Sequence, residues 1–150
     1  MALILKTKNF LIEAHPQPEV GREDGGHIVI SPIEKFADRT ELSAELAKEM
    51  VLLTIITGKA MKEGLAEQGI HLGRINYQEN GNWRPELHVH LYGRALDAKY
   101  HPFGHPIKSA WTAAEKVIQE PLNMKDVELI KKYMLLHAKD PGFREVKFVD

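Results

Sequence analysis

The chain has 150 residues, of which 43% are hydrophobic and 27% charged, with a formal net charge of -1 and no cysteine. That is the length and balance of one globular domain with a real core, not of a disordered chain. Without cysteine, disulfides, thiol catalysis and thiolate metal sites are excluded, and without a basic excess no nucleic-acid polymer or anionic membrane is expected as partner.

The start, MALILKTKNF, has too short an apolar run for a secretion signal, and the longest apolar stretch, MVLLTII at 50 to 56, is far below the ~20 residues that span a bilayer. The expectation is a cytoplasmic protein. Residues 3 to 14 (LILKTKNFLIEA) predict two short strands or one bent one. HPQPEVGREDGG, from 15 to 26, holds two prolines and three glycines and predicts a loop. HIVISP, 27 to 32, is a β-branched run closed by proline, hence a strand.

The longest helical pattern covers 41 to 67, with Leu42, Leu46, Met50, Leu53 and Ala60 on one stripe and Asp38, Thr40 and Ser43 as candidate N-caps. Its centre is apolar nearly all round, which predicts deep burial or a subunit contact. Gly69 can end it. Strands follow at 70 to 77 and 86 to 94, joined by too few residues for a crossover and therefore antiparallel. YHPFGHP, 100 to 106, reads as a loop, and 108 to 119 and 124 to 138 each suit a helix. This order predicts an α+β domain in which the long helix packs across an antiparallel sheet.

The stretch ELHVHLYGR, 86 to 94, alternates strictly. Successive strand side chains face opposite ways, so Glu86, His88 and His90 share one face and Leu87, Val89 and Leu91 the other. Neighbours on one face stand roughly 6.5 to 7 Å apart. On the His-x-His pair alone, a solvent-exposed sheet face is the simpler reading. Two imidazoles where Thr, Lys or Glu would serve point instead to nucleophilic chemistry or metal binding. A metal site needs at least three converging ligands; no HExxH and no second HxH is present, and prolines at 102 and 106 keep His101 and His105 off a common helix face. Metal hydrolysis is the lesser of the two readings, and no cofactor is expected.

These residues resemble the histidine-triad superfamily of nucleotide hydrolases and transferases. Its motif, His-φ-His-φ-His-φ-φ with φ apolar, is matched by Glu86-Leu87-His88-Val89-His90-Leu91-Tyr92, followed by Gly93-Arg94 where the family often has Pro-Arg. Gly81-Asn82 stands at the spacing of the family's Gly-Gln pair, and GHIVISP and EAHPQP resemble its strand beginning Gly-His and the acidic approach to it. The likeness covers about 8 to 94, as the core of a single domain 1–150 with an extension from 95 to 150. The first triad histidine is Glu86 here. A second register, His88-His90-Tyr92, would replace the third histidine instead; the first is preferred because Leu91-Tyr92 then supplies the closing apolar pair and Gly81-Asn82 falls in place.

The resemblance implies a two-step covalent route at the α-phosphorus of a nucleotide. The middle histidine is the nucleophile, His88 in the preferred register and His90 in the other. His90 would bond the leaving or a non-bridging oxygen, with Asn76, Asn82 and amides near Gly81 as further donors. His27 would support the triad, or is simply a strand-start histidine bonded to nearby backbone. Glu13 would accept from ribose hydroxyls, or is a solvated strand end. Phe10 and Ile12 would wall the base, or are plain core. Glu86 would orient an imidazole, or its charge opposes an anionic substrate and leaves a nucleotide-binding protein without turnover. Arg22 in the glycine-bearing loop would reach a polyphosphate tail, or lies in solvent. Trp83, Trp111 and Tyr92 are taken as packing or interface aromatics. Dinucleoside polyphosphates lead the substrate classes implied, ahead of phosphoramidates and adenylylated groups, and a homodimer through the long helix is the implied assembly.

Overall fold

The computed structural model describes residues 1–108 and 111–150. Ser109 and Ala110, within the helix expected at 108–119, lie outside the described residues. Strands β1 (Ala2–Thr7), β2 (Phe10–Ala14), β3 (His27–Pro32), β4 (Leu72–Gln78), β5 (Val89–Ala95) and β6 (Phe148–Val149) form one sheet in the order β4-β5-β3-β2-β1-β6. Every neighbouring pair is antiparallel. The predicted α+β architecture is therefore the observed one. The short β6 carries no sequence signal and closes the β1 edge.

Helix α1 (Ala44–Ala66) begins where the Ser43 side chain accepts the Leu46 amide at 3.2 Å, so Ser43 is the cap among the three candidates. Asp38 instead caps a single 3-10 turn at 39–41. The helix ends before Gly69, whose positive φ of 77° lets the Ile70 amide turn back onto the Leu65 carbonyl. Its predicted stripe is buried at Met50, Leu53 and Ala60, and only partly at Leu42 and Leu46. The core lies between this helix and one face of the sheet, where Phe10, Ile12, Ile28, Ile30, Leu53, Ile56, Met61 and Leu91 are all fully buried. Helix α3 (Met124–His137) packs on α1 and β1, and its Asn123–Asp126 capping box fixes its start.

Two departures from the predicted elements matter for function. β5 starts at Val89, not at residue 86: the Leu87 amide pairs with the Phe36 carbonyl at 2.7 Å, outside the sheet ladder. The expected helix at 108–119 is the short α2 (Ala113–Ile118), opened by a Thr112–Glu115 capping box. The segment leading to α2 is tied to the loop after β2. Asp24, fully buried, accepts the amides of Lys99, Tyr100 and His101 at 2.8 Å each. The Gly21 amide bonds the Gln119 side chain at 2.9 Å, and the Arg22 amide the Glu120 carbonyl at 2.8 Å. The loop and the C-terminal segment thus clamp each other over the sheet face opposite α1.

Candidate active site

β3 and β5 lie side by side with His27 opposite Tyr92 and Val29 opposite His90. Since Ile28, Val89 and Leu91 are buried toward the core, His27, Val29, His90 and Tyr92 project from the opposite face. They floor a cavity of about 510 Å³ whose walls include His15, Glu19, His88, Lys116 and the turn Asn80–Arg84. Close approach of the loop before β3 to β5 depends on glycine. A Cβ on Gly93 would stand 2.0 Å from the Gly25 carbonyl oxygen, so no side chain fits there.

The hydrogen bonds fix the tautomer of each imidazole. His88 Nδ1 lies 2.7 Å from the backbone carbonyl of Glu86, an acceptor only. Nδ1 therefore carries the proton and Nε2 keeps a lone pair. His27 Nδ1 accepts the Glu19 amide at 3.3 Å, which puts its proton on Nε2, 2.8 Å from His90 Nδ1. His90 Nδ1 then accepts, and its Nε2 carries the remaining hydrogen. His15 Nδ1 accepts the Gln17 amide at 3.1 Å, so its Nε2 is also a donor. Of the four unprotonated ring nitrogens, only His88 Nε2 has no hydrogen bond donated to it, and the other rings turn N–H donors toward the cavity.

Burial favours the neutral form of His15, His27 and His90. His27 is held well below the ordinary imidazole value, mainly by burial and then by His15 and His90. Burial, then His88, brings His90 down to about 4. His15 is lowered mainly by burial. The rings touch: His15 stacks flat on His27 at 4.5 Å, Tyr92 flat on His90 at 5.5 Å, and His88 meets His90 edge-on at 4.6 Å. Burial also pushes the Tyr92 phenol up, with Glu19 adding to it.

Of the residues singled out in the sequence, His88, His90, His27, Gly81 and Asn82 come together around this cavity. The others do not. The Glu86 side chain turns away toward Lys35 at 3.7 Å and Arg84 at 3.9 Å, because residue 86 precedes the strand and escapes its alternation. Its own backbone amide, with Lys35 and Arg84, holds its carboxyl below the usual range. Phe10 and Ile12 are fully buried on α1's side of the sheet, sealed in the core and unable to wall a base. Glu13 lines a separate depression with Ser31, Arg84 and Glu86. Asn76 accepts from Arg94 at 2.6 Å in a neighbouring trench. Arg22 is bound by both oxygens of Asp126, at 2.7 and 3.0 Å, and is not free to reach a substrate. Trp83 is 82% exposed at the cavity rim rather than packed. Tyr92 is buried beneath the cavity, at the edge of the core.

Three participants went unread in the sequence. Glu19 is buried, its carboxyl raised by burial, with Oε2 unpartnered and Lys116 4.0 Å from Oε1. His15 and Lys116 line the same space. All three come from loops or a short helix, where no periodicity marks a side chain. Among the described residues no group of three or more His, Asp or Glu is arranged to hold a metal ion.

This architecture is the histidine-triad fold, and solved structures carry it. A histidine triad (HIT) protein from Sinorhizobium meliloti 1021 superposes with a TM-score of 0.65 at 13% identity, over 90% of this chain and 87% of that one. A hypothetical histidine triad nucleotide-binding protein from Sulfolobus tokodaii strain 7 gives 0.62 at 13% identity, over 93% and 87%. A Zn-bound histidine triad family protein from Mycobacterium smegmatis gives 0.54 at 14% identity, over 91% and 87%. At such identities the likeness is one of fold. No protein-family profile matches the chain, and no curated protein sequence does.

Proposed function

We propose that the chain is a single-domain histidine-triad nucleotide phosphohydrolase, in which the extension from 95 to 150 walls the site. His88 Nε2 attacks the α-phosphorus. An N–P bond forms, the bond from phosphorus to the leaving oxygen breaks, and its electron pair departs with that oxygen. His90 Nε2–H and His15 Nε2–H donate to the leaving and non-bridging oxygens where negative charge develops. Water then opens the N–P bond, restores the lone pair on His88 and releases a proton to solvent. His27 is a positioning residue: its Nε2–H holds His90 in the donor tautomer. Asn82 and the turn at Gly81 supply further polar contacts, and the Glu19 carboxylate, rather than Glu13, meets the ribose hydroxyls.

The observation that carries this reading is the Glu86 carbonyl bond to His88 Nδ1, which leaves His88 Nε2 with a lone pair that no other group engages, while those of His15, His27 and His90 each accept a hydrogen bond. It also supports the Glu86 register over the one that makes His90 the nucleophile, since His90 Nδ1 already accepts from His27. The metal reading has less support, because His27 and His90 spend facing nitrogens on each other. The protein acts as a homodimer joined through α1, where Val51 and Ile55 leave apolar surface exposed, and it works in the cytoplasm. No helix is long and apolar enough to cross a membrane.

The test is incubation with a nucleotide substrate labelled at the α-phosphorus, followed by acid-labile histidine analysis. A labelled protein in the parent and none in His88→Ala, with mononucleotide affinity retained, is the expected result. Label that persists in His88→Ala, or that moves to His90, rejects the assignment. Nucleotide binding without label or turnover in the parent would make the protein a non-catalytic nucleotide binder.

A further inference from the structure

Because burial favours the neutral form of His15, His27 and His90, these rings offer a phosphate hydrogen bonds without positive charge. Hydrogen bonds to a phosphate are stronger when the donor is itself charged. Among the described residues, two cationic side chains line the cavity, Arg84 and Lys116. They lean opposite ways. Arg84 Nε stands 3.9 Å from the Glu86 carboxylate, which turns away from the cavity, and Arg84 also lines the separate depression that holds Glu13. Lys116 Nζ stands 4.0 Å from Oε1 of Glu19, a residue that lines the cavity itself.

The Lys116–Glu19 pair is not closed. A charge-assisted N–H···O bond brings its heavy atoms to about 2.7–2.9 Å, so at 4.0 Å neither group has satisfied the other. Glu19 is buried, its Oε2 has no partner, and burial outweighs Lys116 in setting its carboxyl. The charge of Lys116 is felt across the cavity at His15, which burial lowers most and Lys116 lowers further. The backbone that carries Lys116 is anchored, while its side chain is partly exposed and makes no hydrogen bond. The Gln119 side chain accepts the Gly21 amide at 2.9 Å, and the Glu120 carbonyl accepts the Arg22 amide at 2.8 Å. A Cβ on Gly21 would stand 3.0 Å from Gln119 Oε1, so the loop and the end of α2 meet closely. Two residues before Gly21, the Glu19 amide donates to His27 Nδ1. One short loop thus holds α2 and the imidazole row in fixed relation.

We propose that Lys116 is the phosphoryl-binding cation of this site, and that its ammonium exchanges the Glu19 carboxylate for the phosphoryl oxygens when a nucleotide enters. The inference rests on the nucleotide phosphohydrolase reading and adds to it a binding residue from the extension beyond residue 95. The exchange is easy because the Lys116–Glu19 pair is long. Lys116 donates hydrogen bonds and keeps its protons, so its charge offsets that of the phosphoryl group while the neutral His15 and His90 bond the same group. The ribose hydroxyls donate to the carboxylate that Lys116 has left, so each buried charge keeps a partner.

The parent, Lys116→Ala, Lys116→Arg and Arg84→Ala are compared in equilibrium binding of adenosine monophosphate and of adenosine, which lacks the phosphate. Affinity for the monophosphate should fall about ten- to hundredfold in Lys116→Ala, as expected for losing a charge-assisted contact, and recover in part in Lys116→Arg, with adenosine affinity unchanged. Equal monophosphate affinity in the parent and Lys116→Ala overturns the proposal. So does an equal fall for adenosine, a loss confined to Arg84→Ala, or a parent that binds neither the monophosphate nor inorganic phosphate. Inorganic phosphate tests the exchange itself. Glu19→Gln releases Lys116 and should bind inorganic phosphate severalfold more tightly than the parent; an affinity unchanged or lowered rejects the exchange. None of these readouts needs turnover. Monophosphate binding weakened in Lys116→Ala supports Lys116 even if no nucleotidyl-histidine forms, and equal binding rejects it even if His88 proves to be the nucleophile.

Discussion

The two faces of β5 make opposite use of one alternating stretch. Val89 and Leu91 are buried against Ile28, Ile30 and α1, where any apolar side chain of the right volume would serve. On the other face Tyr92 is nearly as buried and His90 half-buried, but volume is not what places them there. Each imidazole around them must hold its proton on one stated nitrogen, and backbone groups of Glu19 and Glu86 decide which. One face is specified by size and apolarity, the other by single hydrogen bonds. The two should therefore fail in different ways: substitutions on the core face cost stability, and those on the cavity face cost chemistry at little cost in stability.

The sharpest contrast is between His88→Ala and Leu91→Ala. The first should lower kcat by at least about a thousandfold, since a nucleophile is removed, while thermal unfolding stays near the parent. The second should lose about 2 to 5 kcal/mol in chemical denaturation, from the cavity it opens in the core, with kcat of the folded fraction kept. A His88→Ala protein that unfolds as readily as Leu91→Ala would erase the distinction.

Next in size is the supporting imidazole. Without His27, His90 Nδ1 has no donor and the ring can present either nitrogen to the cavity. His27→Ala should lower kcat by about ten- to hundredfold, the scale seen when a group that orients an imidazole is removed, and more than it changes KM. His27→Gln, which restores an N–H donor, should recover part of the rate. Equal rates in the two variants would show that only the volume of His27 matters.

Acid should separate the faces as well. His27 and His90 have folded-state pKa values below the ordinary 6.5, and His90 falls to about 4. As pH drops below 6.5, the unfolded chain takes up protons that the folded chain refuses, so the native state loses ground. The melting temperature should therefore fall between pH 6.5 and about 4, and His90→Asn should flatten that part of the profile. An equally steep fall in His90→Asn would place the acid sensitivity elsewhere.

The smallest effect belongs to Glu86. Its carbonyl, not its carboxylate, holds His88, and the side chain makes only long, solvent-screened ion pairs with Lys35 and Arg84. Glu86→Gln should leave kcat within about twofold of the parent. A tenfold loss would mean that the carboxylate acts in the reaction after all.

Much of the fold was legible because it rests on local periodicity. β3 falls on the predicted 27–32, α1 lies within 41–67 and α3 within 124–138, since a buried face at fixed spacing writes itself into the chain. The approach of His88, His90 and His27 follows from the same alternation once β3 and β5 pair. Glu86 was misplaced because alternation was extended past the point where Leu87 leaves the ladder for Phe36. Phe10 and Ile12 were misplaced because a strand pattern says which residues share a face, not which face meets the helix. Arg22 looked free because its partner, Asp126, lies 104 residues away in sequence.

By itself, then, the amino-acid order determined the strands, the long helix and a row of imidazoles on one side of a strand, all consequences of short-range spacing. Only the tertiary structure decided that His15, Glu19 and Lys116 join that row, that Glu86 and Arg22 do not, and which nitrogen of each ring keeps its proton. Those outcomes depend on contacts between segments far apart in the chain, such as Asp24 gathering the amides of residues 99 to 101. A hydrogen bond selects a tautomer only once both partners are held in place, and no spacing along one segment can encode where a distant one will lie.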